Sequence, residues 1–135
     1  EMEIMREHVT ITYEILENLG SRDVQEYASY HHEKLDGTGY PFGLKKDQLS
    51  IPARIIIVAD IMGALMAARS YKESFPKDRI INILSELAAQ SQIDQSLVDL
   101  VINEYDDICQ HLSSLSNPYH KFKNEYMSIV TKMSA

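Results

Sequence analysis

Apolar residues recur every three or four positions along most of the chain, and no stretch alternates apolar and polar residues as a strand does. This period predicts an all-α protein, a helical bundle of about six helices. The predicted helices span residues 2–19, a segment from Ser21 or Asp23 to His31, and then residues 52–72, 76–91, 95–116 and 119–133. A glycine-rich polar loop over residues 36–50 separates the second helix from the third.

The same period predicts which face of each helix meets the core. In the first helix the apolar stripe is formed by Ile4, His8, Ile11, Ile15 and Leu19, so His8 is expected on the core side. The predicted inward residues are Val24, Tyr27, Ala28 and His31 in the second helix, and Ile80, Ile81, Leu84, Leu87 and Ala88 in the fourth. Residues 55–68 are apolar all round, which predicts a third helix buried on all sides.

Asp60 is the one ionisable residue between Ile55 and Ala68. A carboxylate buried in such a helix needs a partner, because an unpaired buried charge is costly or takes up a proton. A salt bridge to an arginine or a role as a helix cap would satisfy it. A cation shared with histidines is the more economical explanation, and it makes Asp60 a candidate metal ligand.

Two adjacent histidines, His31 and His32, open the glycine-rich segment. Adjacent side chains on a helix diverge by about 100°, so both rings can aim at one point only where the helix ends. Gly37 and Gly39 allow a tight turn there, and Pro41 prevents a helix from resuming at once. A histidine pair beside a rigid loop is typical of a metal centre.

His8 is open to two interpretations on residue grounds, a core histidine bonded to a carbonyl or a further metal ligand. In the second interpretation it would complete, with His31, His32 and Asp60, a set of three imidazoles and one carboxylate. Such a set suits a divalent transition metal such as iron, manganese or zinc. An ion of this kind can polarise a bound oxygen and activate water.

The composition of the chain excludes several classes of function. The chain has 13 basic and 20 acidic residues and a net charge of -7, which argues against a DNA or RNA surface. Cys109 is the single cysteine, so no internal disulfide forms, and a reducing cytoplasm is expected. No apolar run approaches the roughly 18 residues of a membrane span. We expect one domain over residues 1–135, an N-terminally incomplete fragment of a longer signalling protein.

Residues 31–41 read His-His-Glu-Lys-Leu-Asp-Gly-Thr-Gly-Tyr-Pro. This segment resembles the signature of the HD-GYP family. The members of that family are helical, metal-dependent phosphohydrolases that cleave bacterial cyclic dinucleotides. Further matches follow in order at residues 43–44, 51–55, 58–60 and 69–72. The resemblance therefore covers roughly residues 1 to 85.

The resemblance implies individual roles. The implied metal ligands are His8, His31, His32 and Asp60, and the implied substrate contacts are Arg69, Lys72 and Tyr40. On residue grounds alone Arg69 and Lys72 are explained equally well as cations favoured at a helix C-terminus. Glu33 and Asp36 are expected to orient the ligands by accepting a ring N–H, or to cap the loop. The alternative for both is a solvated loop carboxylate.

The chain departs from the family at the consecutive His-Asp pair that gives the family its name, since no His-Asp dipeptide occurs in its 135 residues. In the family that aspartate bridges the metals. This chain therefore carries part of a binuclear site, and we expect weak metal binding and slow hydrolysis or none. A second departure is Gly63, which replaces an acidic residue and costs the helix about 1 kcal/mol relative to alanine.

The leading hypothesis is a metal-dependent phosphodiesterase that hydrolyses cyclic di-GMP to linear pGpG or GMP in a bacterial cytoplasm. The competing hypothesis is an inactive HD-GYP-like signalling module that binds a nucleotide, or a diguanylate cyclase domain through its Gly-Tyr-Pro loop. A third is a phosphohydrolase of the same helical superfamily that acts on another nucleotide. If apolar surface stays exposed, two copies of the chain can pack through it and form a homodimer.

Overall fold

The computed structural model describes residues 2–18, 20–67 and 75–114, with side chains described from residue 7 onward. This part of the chain contains six α-helices and no strand, which confirms the all-α prediction. The helices are α1 (Met2–Glu17), α2 (Arg22–Ser29), α3 (Ile51–Met66), α4 (Lys77–Ala89), α5 (Gln95–Asn103) and α6 (Tyr105–Ser114). The loop between α2 and α3 holds a short 3-10 helix, Lys46–Gln48, and an isolated bridge between Asp36 and Lys45.

Residues 1–102 form one compact unit, which contains the core. Its buried apolar residues are Val9, Leu35, Leu49, Ala53, Ile57, Val58, Met62, Ile80, Leu84, Ala88, Ile93 and Val98. Leu35 and Leu49 belong to the loop between α2 and α3, so this loop is packed into the core at both ends. Residues 103–135 form a second unit, whose described part is α6 with Tyr105 buried. The single-domain expectation stays a prediction.

Helix α3 begins at Ile51, one residue before its predicted start. The Ser50 hydroxyl accepts a hydrogen bond from the backbone N–H of Ala53, and a proline occupies the first turn. The prediction that α3 is buried on all sides is wrong, because Ile51 is 55% exposed and Ile55 49%. Among the described helices α3 packs against α2 and α4, and these two neighbours cover only part of its circumference.

The predicted inward face of α1 is also wrong. Ile11 and Ile15 are 51% and 61% exposed, His8 is exposed, and the buried residue is Val9. Among the described helices α1 packs against α2 alone, so a single partner covers a narrow strip of it. The side chain of Ile4 and the whole of Leu19 lie outside the described residues.

Helix α2 differs from its prediction in the same way. Val24 is 51% exposed, while Gln25 and Ser29 are buried. A glutamine tolerates this position because its side-chain amide donates to the Tyr13 carbonyl oxygen, N···O 2.9 Å, and so ties α2 to α1.

Helix α4 and the start of α5 follow their predictions more closely. Ile80, Leu84 and Ala88 are buried on α4, as the period predicts. The Asp94 carboxylate accepts from the backbone N–H of Ser96 at the start of α5, and so caps this helix. Two helices, α5 and α6, replace the single one predicted over residues 95–116, with the division at Glu104. The helix predicted over residues 119–133 lies outside the described residues.

Candidate metal centre

The histidine pair lies just beyond the end of α2. The helix ends at Ser29, and the N–H of Tyr30 closes its last turn on the Glu26 carbonyl oxygen, N···O 2.9 Å. His31 and His32 follow in the turn, outside the regular helix that would have separated their rings. Helix termination therefore allows both rings to approach one region, as the sequence argument requires.

His8, from the middle of α1, meets this pair. Its Nε2 lies 3.4 Å from Nε2 of His31, and its ring centroid lies 5.4 Å from that of His32. The rings of His31 and His32 are 4.2 Å apart. One nitrogen from each of the three histidines lies within 4.8 Å of the others. The structure thus brings together three of the four residues expected to bind metal.

The donor chemistry of the cluster fits a cation. Nδ1 of His31 lies 3.0 Å from the Ala28 carbonyl oxygen, which can only accept, so Nδ1 is assigned as the donor, and in the neutral ring the lone pair is then on Nε2. That lone pair faces Nε2 of His8 at 3.4 Å. Two imidazole nitrogens bound to one tetrahedral metal ion at 2.0–2.1 Å lie about 3.4 Å apart. The spacing of these two nitrogens therefore matches that of two ligands of one ion.

The surroundings of His32 disfavour its protonated form, which cannot bind a metal because both ring nitrogens carry a proton. Burial lowers the pKa of His32 below its usual value of 6.5, the neighbouring charge of His31 lowers it further, and Asp60 acts in the opposite direction. Asp60 Oδ2 lies 4.0 Å from His32 Nδ1, and its side chain is 44% exposed. The carboxylate on α3 therefore stands next to the histidine cluster at the solvent boundary, and not in the apolar interior that the sequence predicted.

Glu33 is buried, with 1% of its surface exposed, so it is not a solvated loop carboxylate. Its Oε1 accepts from the backbone N–H of Phe42 at 2.7 Å, and its Oε2 from that of Leu44 at 2.9 Å. Asp36 is bound within its own turn, where Oδ1 accepts from the N–H and the hydroxyl of Thr38 at 2.9 and 2.7 Å. The N–H of Thr38 is the main cause that lowers the pKa of Asp36. Both carboxylates therefore fix N–H or hydroxyl groups of the loop by hydrogen bonds.

Tyr40 lies against the histidines. Its ring centroid is 4.8 Å from that of His32, with 32° between the planes, and its N–H donates to the His32 carbonyl oxygen, N···O 3.1 Å. The peptide bond from Tyr40 to Pro41 is cis. The remaining two expected substrate contacts, Arg69 and Lys72, lie outside the described residues.

Arg54 is a residue whose role the sequence argument missed. Its guanidinium donates to the carbonyl oxygens of Leu49 and Lys46, at 3.0 and 2.8 Å, and to Asp94 Oδ2 at 3.1 Å. These bonds tie the end of the loop, the first turn of α3 and the start of α5 to one another. Arg54 lies in segment 51–55, which matches the HD-GYP family, and that match was the available sign that it has a role. The spacing of apolar residues gives no indication that its partner is Asp94.

The comparison with protein families agrees with this geometry. A model described as HD domain matches residues 1–97. A 3'3'-cGAMP-specific phosphodiesterase 1 from Vibrio cholerae is 33% identical over 115 residues, which are 85% of this chain and 26% of that protein. A cyclic di-GMP phosphodiesterase response regulator from Xanthomonas campestris is 36% identical over 123 residues, 86% of this chain and 32% of the relative.

A cyclic di-GMP phosphodiesterase from Thermotoga maritima is 32% identical over 124 residues, which are 82% of this chain and 34% of that protein. The chain thus spans between 26% and 34% of the length of these three relatives. No described helix is long and apolar enough to cross a membrane. The family match over most of the chain, together with the loop motif, shows that the chain belongs to the HD domain family and is of the HD-GYP type.

Proposed function

We propose that the protein is the metal-binding part of a phosphodiesterase that hydrolyses a cyclic dinucleotide, cyclic di-GMP, to linear pGpG or GMP. The observation that carries the proposal is the convergence of His8, His31 and His32 from two parts of the chain, with their ligand nitrogens within 4.8 Å of one another. Relatives that are named as cyclic di-GMP and 3'3'-cGAMP phosphodiesterases support the substrate class.

In this proposal the three histidines hold one divalent ion, iron, manganese or zinc, and Asp60 contributes to a second. The ions supply Lewis-acid polarisation of a phosphodiester and activation of water. Burial lowers the pKa of His32 and so favours the neutral imidazole that binds metal. Tyr40 forms the wall of the substrate site, and Arg69 and Lys72 contact phosphate and base.

The experiment separates binding from turnover. Binding of cyclic di-GMP is measured by calorimetry with and without Mn²⁺, and the products are followed by chromatography. We expect binding that requires the metal and disappears in His31→Ala, with slow hydrolysis or none because the His-Asp pair is absent. Equal binding with and without metal, or in wild type and variant, would overturn the proposal. Ile11→Ala is a suitable control, since this residue is exposed on the same helix as His8.

A second candidate function is supported by Phe42. Its side chain is 46% exposed although its ring contacts those of Tyr13 and Tyr30, with centroids 4.8 and 5.8 Å apart. A rigid, exposed aromatic ring suits a protein contact. An inactive module would then bind a diguanylate cyclase domain through the Gly-Tyr-Pro loop in the bacterial cytoplasm, or form a homodimer. Phe42→Ala should abolish such a complex in analytical ultracentrifugation while leaving metal binding intact.

A further inference from the structure

Glu33 is a buried carboxylate in a loop, which is an unusual place for a charge. With 1% of its surface exposed, it has lost its hydration shell. Two backbone N–H groups replace the water, one for each carboxylate oxygen, at 2.7 and 2.9 Å. Hydrogen bonds to an ionised acceptor are about twice as strong as neutral ones. The carboxylate is therefore a strong attachment point for residues 42 and 44.

These two bonds belong to a regular series. The N–H groups of Tyr40, Phe42 and Leu44 donate in turn to the His32 carbonyl oxygen and to the two oxygens of Glu33. Alternate residues of the loop thus face one short segment, His32 and Glu33. The loop over residues 39–44 lies along the segment that carries a candidate metal ligand.

Gly39 shows how closely the two segments approach. A Cβ atom at this position would overlap the backbone nitrogen of Lys34 and would meet Glu33 Cα at 2.5 Å. Only glycine fits such a contact without moving one of the segments. The contact leaves the loop little freedom to slide, and the ring of Tyr40 is then held 4.8 Å from that of His32.

We propose that Glu33 is a positioning residue that sets the orientation of the His32 imidazole through the loop. Its carboxylate fixes the N–H groups of Phe42 and Leu44, these fix the Tyr40 ring, and the Tyr40 ring packs on His32. Glu33 reaches the site through the backbone and not through a ring N–H. The inference concerns the metal centre and in that respect rests on the proposed function.

The test compares Glu33→Gln with wild type in metal-free protein. Glutamine preserves the volume but presents an NH₂ donor to one of the two loop N–H groups, so one bond is replaced by a donor facing a donor. We expect one of the two amide protons, that of Phe42 or that of Leu44, to resonate further upfield and to exchange faster than in wild type. We also expect the nuclear Overhauser effects between the Tyr40 and His32 rings to weaken. Unchanged ring contacts would overturn the proposal.

Gln48→Ala is the matched control. Gln48 Oε1 accepts from the N–H of Lys45 at 3.0 Å in the same loop, but this bond does not reach residues 40–44. The control should leave the ring contacts unchanged. If it weakens them as much as Glu33→Gln does, a general loosening of the loop explains the result and the proposal fails.

Co²⁺ titration, followed by its visible absorption, adds a readout at the site. Loss of a residue that orients a metal-binding histidine lowers metal affinity by about 10- to 100-fold. Glu33→Gln and Tyr40→Leu should each show such a loss, and the double variant should lose no more than the larger single effect, because both act through one chain of contacts. Additive losses would overturn the proposal. If Glu33→Gln does not fold, Glu33→Asp takes its place, because aspartate keeps both oxygens but is one methylene shorter and draws them away from the N–H groups of Phe42 and Leu44. Unchanged contacts between the Tyr40 and His32 rings in that variant contradict the proposal.

Failure of the proposed function is separable from failure of this inference. If wild-type protein binds no Co²⁺, the proposed function fails, while the ring contacts in the metal-free protein still decide the role of Glu33. If wild type binds Co²⁺ and Glu33→Gln keeps both the affinity and the ring contacts, the inference alone fails.

Discussion

The salt bridges Arg54–Asp94 and Arg22–Glu26 have nearly equal N···O distances but should differ greatly in their contribution to the free energy of unfolding. A guanidinium nitrogen of Arg54 lies 3.1 Å from Asp94 Oδ2, and Nε of Arg22 lies 3.2 Å from Glu26 Oε1. The first pair is nearly enclosed, with side chains 14% and 12% exposed, whereas Arg22 is 88% exposed. An exposed pair on one helix contributes at most about 0.5 kcal/mol. Arg22→Ala should therefore change the free energy of unfolding very little.

The contribution of Arg54 is larger for two reasons. It makes three hydrogen bonds, two to carbonyl oxygens and one to a carboxylate. Hydrogen bonds that involve a charged group contribute about 1.5–3 kcal/mol each. Removal of one partner from a buried pair costs about 3–5 kcal/mol, and the remaining exposure of the two side chains reduces this. We expect Arg54→Ala to lower the free energy of unfolding by about 3 kcal/mol.

Urea denaturation followed by circular dichroism measures the effect. With slopes of about 1–3 kcal/mol per molar urea, the midpoint of Arg54→Ala should fall by roughly 1–3 M. Asp94→Asn should fall less, because asparagine keeps an oxygen that can accept from Ser96. Equal midpoint shifts for Arg54→Ala and Arg22→Ala would refute the argument that burial decides the value of these pairs.

Two glycine substitutions and one pH dependence give further tests. Gly39→Ala should destabilise the protein by more than about 2 kcal/mol, because its Cβ would overlap the backbone nitrogen of Lys34. Gly63→Ala should stabilise it by about 1 kcal/mol, since Gly63 is helical and a Cβ there meets nothing within 4 Å. The urea midpoints of the two variants measure both changes. If both midpoints move in the same direction, the reasoning is contradicted. The pKa of His32 is lowered by burial, so the unfolded chain takes up its proton first. The free energy of unfolding should therefore fall as the pH drops below 6.5, and His32→Gln should reduce this slope.

The sequence predicts the positions of the helices well because short-range chemistry decides them. Ser50 caps α3, Pro76 precedes α4, and α2 ends just before His31, each next to the residues that signal a boundary. The metal-binding hypothesis depends on the same local event, since the end of α2 allows two adjacent histidines to face one region. His8 was included on the strength of a family resemblance, and the structure brings it to 3.4 Å from His31.

The faces of the helices were predicted less well because they depend on which partners are present. The period identifies an apolar stripe on α1, but one neighbouring helix covers Val9 and leaves Ile11 and Ile15 exposed. The partners of two charged residues were missed for a related reason. Arg54 meets Asp94 across 40 positions of sequence, and Glu33 meets amides nine and eleven residues away. Neither contact leaves a periodic trace, and a loop glutamate is ordinarily expected in solvent.

Metal content is the most direct test of the central claim that His8, His31 and His32 form a site. Protein purified without chelators or a histidine tag is dialysed against Mn²⁺, Zn²⁺ or, anaerobically, Fe²⁺, and elemental analysis compares it with the dialysate. We expect metal bound in excess of the dialysate in wild type and its loss in the His31→Ala, His32→Ala double variant. Equal metal in both proteins, or none in either, would contradict this claim.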